Sequence, residues 1–234
     1  FFILISFFLT KISIIHFIPF LNDEAYALTI SREFSLSYFD HPPLTMWILY
    51  FLSEYTSIQN PFLFRIPFVC FGVLTSYFLF LIGKLFYSTN VGILSALLYF
   101  LSPFFFFSGG LLIVPDAPLN LFVVSSLYFI SRIVFYKNEG RLIEWLVIGA
   151  LMALAFLSKY QAYFFGLSLI IYFVFWKKEI LISKKFIISF LIASMGFAPV
   201  IIWNFNNEFS SFLFHQERSS FNIHPNRFLL LLFA

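Results

Sequence analysis

Charge is what this sequence has least of. Asp, Glu, Lys and Arg make up 11% of its 234 residues, against 61% hydrophobic residues and a mean hydropathy of +0.94. So little charge cannot furnish the polar skin of a water-soluble core, and the chain reads as a polytopic membrane protein. Cysteine is nearly missing as well: Cys70 stands alone in an apolar stretch, which excludes a disulfide framework or a cysteine-based metal site and leaves it a packing role. No soluble domain, internal repeat or low-complexity linker breaks the pattern, so residues 1–234 read as a single all-α transmembrane domain. The chain opens Phe-Phe without Met and stops inside the apolar run from Phe228 to Ala234, which suggests a piece of a longer polypeptide with a C-terminal remainder beyond it. The 39 Phe suit lipid-facing positions and do not by themselves announce an aromatic binding site.

What is present is a series of apolar stretches. Crossing roughly 30 Å of hydrocarbon at about 1.5 Å per residue takes some 20 residues. Stretches of that order run at 1–20, 61–83, 90–107, 117–136, 142–158, 160–176 and 186–204, with an eighth begun at 227. The first is a membrane span and not a signal peptide, because Lys11 and His16 interrupt it and no small-residue cleavage pattern follows. Residues 44–55, LTMWILYFLSEY, are too short and too polar at their end to cross, and read as an interfacial or re-entrant helix.

Basic residues orient the spans. With the first long loop outside, the inner loops hold Lys84, Arg132, Lys137, Arg141, Lys177, Lys178, Lys184 and Lys185, against Arg32, Arg65, Lys159, Arg218 and Arg227 outside. The acids then fall mostly on the outer side, and any chemistry faces outward.

Four polar patches converge there. The first, NDEAYALTISREFSLSYFDHPP, carries Asp23, Glu24, Arg32 and Glu33, with Ala25, Leu28, Phe34 and Leu36 as the apolar side of a helix lying on the membrane surface. Asp23 serves equally as a helix N-cap there. The second places Asp116 between Pro115 and Pro118, where it too suits a helix start. The third, LSKYQAY, holds Lys159, which in isolation would simply snorkel. The fourth, from Trp203 to Arg227, carries His215, Arg218 and His224. Carboxylates, cations and histidines together suit a phosphate head group with an acid nearby. Within SYFDHPPLT, consecutive prolines keep His41 out of a helix and project Asp40 and His41 from a stiff turn, or else merely punctuate the start of the next helix.

The ordered set DEAYALTISREF, YFDHPPL, PDAPL, LSKYQA and PVIIWNFNNEFSSFLF resembles the successive motifs of the family 39 and ArnT-like glycosyltransferases of the GT-C superfamily, over residues 22–220. The resemblance implies an integral enzyme of the bacterial cytoplasmic membrane, active on its extracytoplasmic face. It would transfer a sugar, with inversion, from a polyprenyl-phosphate donor to a lipid, glycan or protein acceptor, and no nucleic acid takes part. It implies Asp23 and Asp116 as the catalytic acids and Lys159 as a phosphate contact assisted by Arg32, with Glu24, His41 and Arg218 also binding substrate. The aminoarabinose transferases carry Glu-Lys where this chain has Asp40 and His41, the acid helping to hold a divalent metal. Asp40 with His215 is the corresponding metal expectation here. The shorter acid and the loss of the lysine weaken that assignment and speak against the aminoarabinose substrate. A transporter or flippase for a lipid-linked or polar substrate is the alternative from another class; charge is scarce at midspan and gathers on one face, which argues against it.

Overall fold

The computed structural model describes residues 2–56, 60–137 and 140–219. It is helical, with no strand among the described residues. The helices are α1 (Phe2–Ile14), α2 (Asn22–Ile30), α3 (Leu44–Tyr55), α4 (Ile66–Phe86), α5 (Thr89–Leu101), α6 (Pro103–Phe107), α7 (Asp116–Arg132), α8 (Leu142–Ser158), α9 (Ala162–Trp176), α10 (Lys178–Leu181), α11 (Lys184–Ser194), α12 (Ala198–Asn206) and α13 (Ser210–Ser219). Each stretch read as a span holds helix, and 44–55 is helical over its whole length. The start of an eighth span at 227 lies outside the described residues. Among the described residues, three helical runs are long and apolar enough to cross a membrane: Phe62–Phe86, Asp116–Tyr136 and Lys184–Asn206. Four other apolar helices are shorter, α1, α5, α8 and α9.

The bundle is a row in which α5 packs on α4, α4 on α7, α7 on α8 and α8 on α11, with α1 against α4. Without a hydrophobic force between helices in lipid, close approach depends on small residues. A Cβ on Gly83 would stand 2.8 Å from the Gly92 Cα, and one on Gly149 only 2.6 Å from the Ser189 carbonyl, so α4–α5 and α8–α11 touch backbone to backbone. The stretch 90–107 is one run in hydropathy but two helices in space. Ser102 is extended, and Pro103, which has no N–H, opens α6.

Two cations inside this apolar mass are satisfied internally. Lys11, 1% exposed, donates to the carbonyls of Phe106 at 2.9 Å and Gly110 at 3.0 Å, over the Phe106 ring. What breaks the hydropathy of the first span therefore tethers α1 to the turn after α6. Arg65 and Glu24 are both fully buried and form a two-pronged pair, Nε to Oε1 at 2.8 Å and Nη2 to Oε2 at 2.6 Å. The remaining guanidinium donors go to the carbonyls of Ile15, Ile18 and Pro19, in the segment that follows α1. Glu24 in turn accepts from the backbone N–H groups of Leu21 and Ile113.

This pair sets which face of α2 turns into the bundle. Ala25, Phe34 and Leu36 are exposed, whereas Glu24, Ala27 and Ser31 are buried. Drawing Glu24 inward to Arg65 turns the helix, and Ala27 packs with Leu49, Phe64 and Phe68. Glu24 also bonds back to the Leu21 N–H at the head of α2, so the capping work foreseen for Asp23 belongs to its neighbour.

Removing one member of a buried pair strands the other charge. Arg65→Met should cost about 3–5 kcal/mol. The Glu24→Leu/Arg65→Met double variant should cost less than the two single changes added together. Unfolding of the purified protein in mixed detergent measures both, and a loss below about 1 kcal/mol for Arg65→Met would show that the pair does not hold the fold.

Candidate active site

The end of the bundle that carries the Glu24–Arg65 pair also carries a cavity of about 170 Å³. Asp23, Tyr26 and Ala27 of α2, Asp40 and His41 of the following loop, Thr45 and Met46 of α3, the segment from Ile113 to Asp116, and Lys159 line it. The buried pair explains the convergence. Glu24 Oε1 takes its hydrogen bond from the Ile113 N–H at 3.0 Å, so the segment leading to Asp116 is held beside the helix that presents Asp23.

Asp116 begins α7 directly after Pro115, and Lys159 follows the last residue of α8 in an extended conformation. Since α7 and α8 run antiparallel and packed, these two ends meet: Lys159 Nζ lies 2.9 and 2.8 Å from the two Asp116 oxygens. Lys159 therefore does not snorkel away. An ammonium has three donors, and two going to Asp116 leave one for a further acceptor.

Asp23 is exposed and has no hydrogen bond or ion pair among the described residues. Asp40 accepts from the Tyr26 hydroxyl at 2.9 Å and stands 3.8 Å from His41 Nε2. Tyr26 was missed in the sequence, although it stands three residues after Asp23, a spacing that places both on one helix face. His215, on α13, meets the loop at 3.0 Å from Nε2 to the Asp40 carbonyl, and its ring packs edge-on against Tyr160. Burial pushes the Tyr26 hydroxyl up to about 12, with the Asp40 bond and charge adding to it.

The structure thus brings Asp23, Asp40, His41, Asp116 and Lys159 to one cavity, with His215 behind Asp40. Two expected substrate contacts stand apart. Glu24 is sealed under Arg65 with both oxygens occupied, and Arg32 is exposed beyond the end of α2 and does not line the cavity. The Arg218 side chain lies outside the described residues. Asp40 and His215 make a poor pair of metal ligands: the imidazole nitrogen is engaged by a backbone carbonyl and not set beside the carboxylate. No group of three His, Cys, Asp or Glu side chains suited to a cation gathers among the described residues. We assign no reaction step to a metal.

The His41 imidazole is pushed below its usual value, first by burial. The Asp40 charge pulls it up, Lys159 and His215 push it further down, and Asp116 pulls it up. A depressed histidine binds fewer protons folded than unfolded. Its contribution to stability is therefore present above the unfolded value near 6.5 and is lost as pH falls through the folded value. Lys159→Met, by removing a cation, should raise the His41 pKa, and Asp40→Asn should lower it. Histidine-labelled NMR in detergent reads both, and no movement on Lys159→Met would separate the two residues electrostatically.

A family model matches residues 40–203, described as dolichyl-phosphate-mannose-protein mannosyltransferase. No curated protein and no solved structure matches the chain. The match takes in the loop of Asp40 and His41, the head of α7 with Asp116, and Lys159; it starts after Asp23. An all-helical bundle with membrane-crossing helices, polar groups gathered at one end and this match over most of its length together show that the chain belongs to the dolichyl-phosphate-mannose-protein mannosyltransferase family, a membrane glycosyltransferase of the GT-C type.

Proposed function

We propose that the cavity is where a sugar passes from a polyprenyl-phosphate carrier to a hydroxyl of a lipid, glycan or protein acceptor. The observation that carries this reading is the meeting of Asp23, Asp40, His41, Asp116 and Lys159, drawn from separate segments, in one cavity. The opposite end of the bundle gathers Arg132 with Glu144, and Lys185 on the Gly140 carbonyl. By the preference of basic residues for the cytoplasmic side, the cavity faces away from the cytoplasm of a bacterial inner membrane.

The chemistry is an in-line displacement. The acceptor oxygen attacks the anomeric carbon as the bond from that carbon to the phosphate oxygen breaks, and the phosphate leaves with the bonding electron pair, inverting the configuration. Asp23, with no partner among the described residues, is the base that takes the acceptor proton. Lys159 uses its remaining donor on the departing phosphate as charge builds there, and Asp116 holds Lys159 in place. Neutral His41 is a hydrogen-bonding group beside them. A second cavity, about 290 Å³ between α8, α9 and α11, is walled by Trp145, Met152, Phe156, Tyr163, Phe173 and Phe197 among others. Tyr163 lies one turn beyond Lys159, so an isoprenoid chain resting in that groove would bring its phosphate toward the cavity.

Asp23→Asn should reduce transfer about 10²- to 10⁴-fold while leaving insertion intact. Mass spectrometry of envelope glycolipids, glycoproteins and lipid-linked sugars, from cells with matched membrane levels, reads the outcome. One sugar mass should vanish from an acceptor as its lipid-linked donor accumulates. Transfer within a few-fold of wild type would remove Asp23 from this role, and profiles indifferent to the protein itself would favour a transporter.

A further inference from the structure

The two prolines of SYFDHPPLT have a consequence at the helix they precede. Helix α3 has no cap: Pro43 occupies the cap position in a helical conformation, φ −82° and ψ −13°, and has no side-chain acceptor to offer. The first backbone bond of the helix is from the Trp47 N–H to the Pro43 carbonyl, at 2.8 Å. The N–H groups of Leu44, Thr45 and Met46 therefore have no acceptor among the described residues, although all three residues are buried. Some other helix starts are closed by side chains, whereas α6 and α7, which also begin at prolines, have no side-chain cap. Glu24 serves α2, Ser88 serves α5 and Ser183 serves α11.

A second observation, independent of the backbone, points to the same place. The Thr45 Oγ1 is buried and has no hydrogen-bond partner. Buried helical hydroxyls elsewhere bond back along their own helix, as Thr75 does to Phe71, Ser125 to Leu121 and Ser158 to Leu154. Thr45 does not, because the carbonyl four residues back, that of His41, is outside its helix and already accepts from the Tyr38 N–H at 3.2 Å. Leaving a buried hydroxyl unmatched is unfavourable, and Thr45 and Met46 both line the cavity with Lys159.

We propose that the N-terminus of α3 and the Thr45 hydroxyl form the seat for a phosphate group in this cavity. The inference rests on the reading of the cavity as a sugar-phosphate site and adds to it the donors that hold the phosphate. Free N–H groups and the positive end of the helix dipole favour an anion, and the hydroxyl supplies one more donor. The prolines acquire a function from this: neither has an N–H, and neither can cap, so the donors of the first turn are left for a ligand. In the transfer, the phosphate ends with one more negative charge than it began with, so these donors bind the leaving group more tightly than the substrate.

The test measures binding of undecaprenyl phosphate, undecaprenol and inorganic phosphate to the purified protein in detergent, in wild type, Thr45→Val, Thr45→Ser and Lys159→Ala forms. Thr45→Val should weaken undecaprenyl phosphate by roughly ten-fold, as loss of a hydrogen bond to a charged group does, and leave undecaprenol unchanged. Thr45→Ser should stay within about three-fold of wild type, since the hydroxyl persists. Inorganic phosphate that binds alone with the same dependence on Thr45 sustains the seat and assigns it to the free anion. Without ligand, Thr45→Val should melt no lower than wild type, because an unmatched hydroxyl has been removed; a marked loss of folding would give the hydroxyl a structural job and overturn the proposal. Wild-type affinity retained in Thr45→Val but lost in Lys159→Ala would remove the seat and leave the sugar-phosphate reading standing. A wild-type protein that does not distinguish undecaprenyl phosphate from undecaprenol would overturn both.

Discussion

An arginine and a glutamate with no exposed surface, joined 41 residues apart in sequence, are the constraint on which this end of the molecule depends. Neither charge is tolerable alone in so apolar a setting, and together they stand only if the remaining donors and lone pairs are met. They are met by backbone: the open carbonyls after α1, the N–H at the head of α2, and the Ile113 N–H before α7. Four stretches of chain are thereby fixed to one point, beside the apolar cluster in which Ala27, Phe64 and Ile113 pack. The pair is a structural clamp that also shapes the proposed site, because the residue beside Glu24 is Asp23 and the segment it grips leads to Asp116.

A second ion pair completes the arrangement at a lower level of burial. Lys159 and Asp116 each remain partly accessible, at 21% and 26% of their side-chain surface, so their pairing coexists with a donor still open to a ligand. The contrast between the two pairs separates structure from chemistry. Glu24 and Arg65 have their hydrogen-bonding capacity closed within the fold, while Asp23, Lys159 and the first turn of α3 keep some of theirs. Polar capacity left open inside a membrane bundle is costly, and it accumulates here around a cavity of the size of a small head group.

Much of this was legible in the sequence. Hydropathy located the helices, and the motifs that interrupt it named Asp23, Asp40, His41, Asp116 and Lys159 before their meeting was visible. What escaped was whatever depends on a partner distant in the chain. Glu24 reads as one more acid of a surface helix until Arg65 is seen to draw it inward, and that pull decides which face of α2 is buried. Lys11 reads as a blemish in a span until the carbonyls of Phe106 and Gly110 close over it. The break at Ser102 was signalled by Pro103, yet a hydropathy window averages across it. Thr45 carries no signal in sequence, since a threonine near a helix start is ordinary; only the absence of a partner at its buried hydroxyl distinguishes it.

The resulting picture is a membrane glycosyltransferase whose proposed reactive groups are set by two ion pairs and an uncapped helix. The central claim is that the donor phosphate lies between Lys159 and the start of α3. An electron cryomicroscopy structure of the protein with bound polyprenyl phosphate tests it most directly. The phosphate should be found within hydrogen-bonding distance of Lys159 Nζ and the Thr45 hydroxyl, with the isoprenoid chain leading toward the groove between α8 and α9. Phosphate density at the opposite, basic end of the bundle, with the cavity beside Asp23 left to solvent, would contradict it.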